Sequence, residues 1–69
     1  MHQKFIREPV VVEMTGLSRA TIWRMVGQKT FPSPVKLGPH STAWIEAEVQ
    51  GWMAERIAAS RAPAPQEAA

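Results

Sequence analysis

Cysteine, tyrosine and aspartate are absent from this 69-residue chain, and each absence removes a class of chemistry. Without cysteine there is no disulfide and no thiolate metal site, so packing alone must hold the domain. The same absence agrees with a cytoplasmic setting. Without aspartate, acid chemistry falls to six glutamates, which are scattered over polar positions rather than paired. Histidine occurs only at His2 and His40, too few for a metal site when Cys and Asp are missing. Neither histidine has an evident nucleophile, and there is no glycine-rich phosphate loop. The expectation is therefore a protein that is not an enzyme and takes no cofactor or metal. No apolar run is long enough to span a membrane, and residues 1–8 lack the apolar core of a secretory signal.

What is present is enough for one small domain. A chain of this length buries only about 60% of its unfolded surface, so three tryptophans and two phenylalanines must carry much of the core. Charge is unevenly placed. Residues 1–44 hold Lys4, Arg7, Arg19, Arg24, Lys29 and Lys36 against Glu8 and Glu13, while residues 45–69 hold Arg56 and Arg61 against Glu46, Glu48, Glu55 and Glu67. A basic first part and a mildly acidic last part imply one polyanion-facing side and one solvent or partner side.

The organising stretch is Thr15 to Val26. Ser18 is an N-cap whose hydroxyl can accept from the N–H of Ala20 or Thr21. Leu17 and Ile22 then stand at the positions of a hydrophobic staple, and Thr21 occupies the place where Glu or Gln would complete a capping box. From there Ile22, Met25 and Val26 share one helical face, and Ala20, Trp23, Arg24 and Gly27 share the other, with Arg19 at its edge. A helix with one apolar stripe and a small, basic outer face suits a DNA major groove.

The elements around it follow in order. Lys4–Arg7 is a short edge strand. Residues 8–15 form a helix despite the β-favouring run Val10–Val12, because Pro9 opens it at N1 and Gly16 stops it. The central helix runs from Ser18 to about Gln28, ended by Gly27 or by a strained Lys29, before Phe31-Pro32-Ser33-Pro34 forbids more helix. Val35–Leu37 and Thr42–Ile45 are strands joined by a turn at Gly38–Ser41. Residues 46–59 form a last helix with Ile45, Val49, Trp52, Met53 and Ile57 on one face. Residues 60–69 are expected to be a disordered tail. The fold class is α+β, mainly helical: a winged helix-turn-helix of three helices and a two-stranded wing, with a short N-terminal strand.

Thr15-Gly16-Leu17-Ser18-Arg19 with Thr21-Ile22, then Phe31-Pro32, Pro34-Val35-Lys36-Leu37-Gly38, Ala43-Trp44, Glu48-Val49 and Trp52 together resemble the AlpA family. These are short phage and prophage regulators with a MerR-like or excisionase-like winged fold. The resemblance covers residues 5–57. It implies duplex DNA as partner, bound by the second helix and the wing at 35–45, in transcriptional control. It also carries the alternative of an excisionase, which bends DNA for an integrase and binds beside a second copy of itself. A packaging adapter is a further DNA-directed alternative. A protein-interaction adaptor or antitoxin-like module, using Trp52 and the acidic last helix, is the alternative of another class. The chain departs from the family pattern where Lys29 and Thr30 replace a glycine, where Val10–Val12 replaces a more helical segment, and where His40 replaces a common arginine.

The candidate DNA-facing residues are Ser18, Arg19, Ala20, Thr21, Trp23, Arg24, Lys36, His40 and Ser41. Arg24 has the planar fork that bonds guanine O6 and N7 together. Arg19 opposes the helix dipole in the first turn, a cost that a phosphate would offset. Trp23 either packs against sugar and backbone or completes the core beside the wing, with core or edge packing preferred. Lys36 and His40 sit on or beside the wing, facing phosphate or solvent. Thr21 touches a base or bonds back to its own helix.

Overall fold

The computed structural model describes residues 3–61 of the chain. Within them β1 (Phe5–Ile6), α1 (Glu8–Thr15), α2 (Arg19–Gly27), β2 (Val35–Gly38), β3 (Ser41–Ile45) and α3 (Glu46–Arg61) follow in order. The three strands form one antiparallel sheet in the order β1-β3-β2. Phe5 faces Ile45 and Ile6 faces Trp44 across one ladder. On the other, Val35 faces Ala43 and Lys36 faces Thr42, with a register shift before the Gly38–Ser41 pair. The expected hairpin is present, and β1 makes the sheet three-stranded. Among the described residues no helix is long and apolar enough to cross a membrane.

The helix α1 forms although its valines favour strand. The chain stops it at Gly16, whose φ of 75° is left-handed and whose N–H returns to the Val12 carbonyl at 2.8 Å. Glycine adopts that geometry without steric cost. Pro9 lies one position further in than expected, because Glu8 is already helical. The turn into α2 is tied by Thr15, whose hydroxyl donates to the Val11 carbonyl and accepts from the Leu17 N–H. Ser18 then caps α2 by accepting from the Thr21 N–H at 3.1 Å.

The end of α2 falls at the second of the two expected places. Gln28 is the C-cap, and Lys29 takes the left-handed position with φ 64°. The Lys29 N–H bonds the Val26 carbonyl and the Thr30 N–H reaches back to the Met25 carbonyl. This pair of bonds is a Schellman closure, with lysine in the place glycine usually fills.

Ile6, Val11, Ile22, Phe31, Trp44 and Val49 form the buried cluster, so every element except β2 contributes at least one side chain. Each fully buried aliphatic among them contributes roughly 1.5–3 kcal/mol. Trp44 is completely buried and donates its indole N–H to the Pro32 carbonyl at 2.9 Å. The apolar face of α3 is shorter than its periodicity suggests. Val49 is fully buried and Trp52 and Met53 are half-buried, but Ile57 is 51% exposed and stands outside the buried cluster. The helix itself continues to Arg61, two residues beyond the expected end. The remainder of the expected tail, 62–69, lies outside the described residues.

Candidate nucleic-acid interface

The helix α2 is seated by one side only. Ile22 is fully buried, and Met25 and Val26 pack against the core, while Ala20, Arg24 and Gly27 are exposed on the opposite side and Trp23 is part-exposed at the flank. The small residues at 20 and 27 flank Arg24 and leave the helix backbone approachable there. Arg24 itself is exposed. Among the described residues Arg7, Arg24, Lys29 and Lys36 have no ion-pair partner.

The start of α2 is more tightly organised than the sequence suggests. Ser18 donates its hydroxyl proton to the Thr21 hydroxyl at 2.9 Å while accepting from the Thr21 N–H. Thr21 is half-buried and bonds to its own cap. Arg19 does not stand alone against the helix dipole: its Nε lies 3.2 Å from the Glu8 carboxylate. The other oxygen of that carboxylate accepts the Trp23 indole N–H at 2.6 Å. Trp23 is 43% exposed, and its ring leans on Trp44. It is thus edge packing rather than interior core.

A cleft of about 220 Å³ opens between the start of α1, Trp23 of α2 and the hairpin, with Arg7, Glu8, His40, Thr42 and Trp44 among its walls. It brings His40, in the hairpin turn, to the same place as Trp23 and the Arg19-bound Glu8. Arg7 braces that arrangement by donating from Nε to the Thr42 carbonyl at 3.0 Å. Ser41, half-buried, begins β3 opposite Gly38. Lys36 is exposed on β2 beside Thr42. The cleft wall carries one arginine, Arg7, with the Glu8 carboxylate and one exposed indole, while Arg19, Arg24 and Lys36 stand outside it.

Glu8 and Arg7 are the functional candidates that sequence reasoning missed. A signal for Glu8 was available. A cation in the first turn of α2 calls for a nearby carboxylate, and residues 1–44 contain only Glu8 and Glu13. Arg7 left no such trace, because its acceptor is a backbone carbonyl 35 positions away.

A family model described as prophage CP4-57 regulatory protein (AlpA) matches residues 4–57. The chain is also similar to a protein of Enterobacteria phage P4 named uncharacterized protein ORF88. The two are 45% identical over 56 residues, which is 81% of this chain and 64% of that protein. The chain thus spans less than two thirds of that relative. It is 39% identical over 59 residues to the DNA-binding transcriptional activator AlpA of Escherichia coli (strain K12), covering 77% of this chain and 84% of that one. No solved structure matches the chain significantly.

Proposed function

The chain belongs to the family of the prophage CP4-57 regulatory protein (AlpA), and from that premise we propose that it is a DNA-binding transcriptional regulator. In this reading α2 enters the major groove with Arg24 toward base edges, and the hairpin of β2 and β3 lies alongside as a wing. Ser18, Ala20 and Thr21 bring the start of the helix close to the duplex. Arg19, Lys36, His40 and Ser41 meet the phosphate backbone, and Trp23 rests against sugar at the rim of the cleft.

The observation that carries the reading is the one-sided seating of α2: Ile22 is fully buried while Ala20, Arg24 and Gly27 are exposed. A helix whose outer face is small and cationic at its centre fits a groove some 12 Å wide. Uncompensated cations on the same part of the chain supply sequence-independent attraction.

The test is a titration of labelled random-sequence duplex with the protein, repeated over a salt series. Binding that weakens steeply as salt rises is the expected result. A folded protein with no affinity for duplex at low salt would defeat the reading and move the adaptor alternative ahead of it.

A further inference from the structure

We propose that Glu8 is a positioning residue of the DNA interface, a carboxylate whose negative charge on the polyanion-facing side strengthens binding. The inference rests on the DNA-binding reading above and goes one step past it.

Two α2 side chains meet one carboxylate. Arg19 Nε lies 3.2 Å from one oxygen of Glu8, and the Trp23 indole N–H lies 2.6 Å from the other. Positions 19 and 23 are one helical turn apart and so share a face. Glu8 reaches both from the first turn of α1, where its side chain is 24% exposed against 75% for Arg19. The carboxylate is thus the inner member of the group and the guanidinium the outer one. Arginine carries five N–H donors in a rigid plane. With Nε turned toward Glu8, the four terminal donors have no protein partner among the described residues, the arrangement suited to a bidentate hold on a phosphate. The Trp23 indole N–H is tied to the same carboxylate, in the wall of the cleft that faces the hairpin. Without Glu8, Arg19 is a long free chain that must be ordered at the moment of binding, which costs affinity.

The proposal predicts a sign opposite to simple electrostatics. Removing a carboxylate from a surface that faces phosphate raises the net charge by one and on that ground alone should tighten binding. Positioning requires that it loosen binding.

Glu8→Gln keeps the shape and an oxygen acceptor for the Trp23 N–H but loses the charge that holds Arg19. Glu8→Asp keeps the charge but is one methylene too short to span both partners. Each is made alone and in an Arg19→Ala background, checked for folding by circular dichroism, and titrated with random-sequence duplex at low salt. Random duplex suffices because the inferred contact is to phosphate. Both single variants should bind about threefold to tenfold more weakly than wild type, and the loss should vanish in the Arg19→Ala background, since the two residues act as one unit. Unchanged or tighter binding by Glu8→Gln overturns the proposal. So does an equal loss with and without Arg19, which would place Glu8 in folding alone. These outcomes leave wild-type binding intact, whereas absence of any wild-type binding defeats the DNA reading itself.

Discussion

Trp23 leans on Trp44 with ring centroids 5.3 Å apart and planes tilted by 59°. One ring is fully buried and the other 43% exposed, so the pair connects the core to the flank of α2. Tilted aromatic pairs of this spacing contribute about 0.5–1.5 kcal/mol beyond burial. The contact explains how a large apolar ring stays fixed at the surface: it is held on one side by Trp44 and at its N–H by Glu8. The position of α2 therefore depends on the sheet as well as on α1.

The tryptophans are unequal, and replacing them should show it. Trp44 is completely buried and bonded to Pro32, so Trp44→Ala should cost about 3–5 kcal/mol and largely unfold a domain this small. Trp52 is half-buried. It meets Phe31 edge-on at 4.8 Å, donates to the Thr30 carbonyl at 2.7 Å and lies under Arg56. Trp52→Ala should cost less, about 2–3 kcal/mol. Thermal melts of the two variants compare them directly, and equal losses would show that Trp52 is as central as Trp44.

Two helices end in left-handed residues, one a glycine and one not. Gly16 has open space where a Cβ would stand, so Gly16→Ala should cost only the backbone term of about 1–2 kcal/mol. Lys29 already bears that term at φ 64°, and Lys29→Gly should stabilise the domain by about 1 kcal/mol. Denaturant midpoints of the two variants should therefore move in opposite directions. A Lys29→Gly protein no more stable than wild type would mean that the lysine side chain contributes enough there to offset its strain.

Most of this fold is legible in the residues because its signals are local. Gly16, Ser18 and the prolines at 32 and 34 delimit elements through their own φ preferences and caps. The β-favouring run at Val10–Val12 yields because a glycine stop and a capped helix follow at once, and because one helical face carries Val11 into the core and Val12 against it. The site was less legible. Arg19, Trp23 and His40 stand out in sequence as surface candidates, but the carboxylate that joins the first two comes from another helix, and the Arg7 bond to Thr42 crosses 35 positions. Such contacts leave no spacing signature. Ile57 shows the converse failure: periodicity continues to a residue outside the buried cluster.

Ser18 tests whether the start of α2 faces the duplex. Its hydroxyl accepts from the Thr21 N–H, and Ser18→Ala should cost about 1 kcal/mol. Ser18→Asp preserves an acceptor and adds a charge favourable to the helix dipole, so its melting temperature should stay near wild type. Its affinity for duplex should nevertheless fall, because a carboxylate would then face phosphate. Equal affinity in a folded Ser18→Asp protein would turn this end of the helix away from DNA.

Arg24 and Lys36 separate recognition from attraction. Arg24 stands on the outer face of α2 between Ala20 and Gly27, small residues that leave the backbone approachable, and it has no ion-pair partner among the described residues. Its guanidinium is free to span two acceptors on one base. Lys36 is exposed on the outer strand of the hairpin, and its ammonium is a point charge suited to phosphate. Arg24→Ala should cost about 1–3 kcal/mol on a selected site and relax preference at one base pair. Lys36→Ala should weaken all duplexes alike and lower the salt slope by about 1. The measurement is affinity for a selected site and its scrambled counterpart over a salt series, on proteins first shown to be folded, since the arginine stem also covers apolar surface. Equal loss on both duplexes for Arg24→Ala would make Arg24 a phosphate clamp and leave base recognition to another residue of the same face. No change from either variant would remove α2 from the groove.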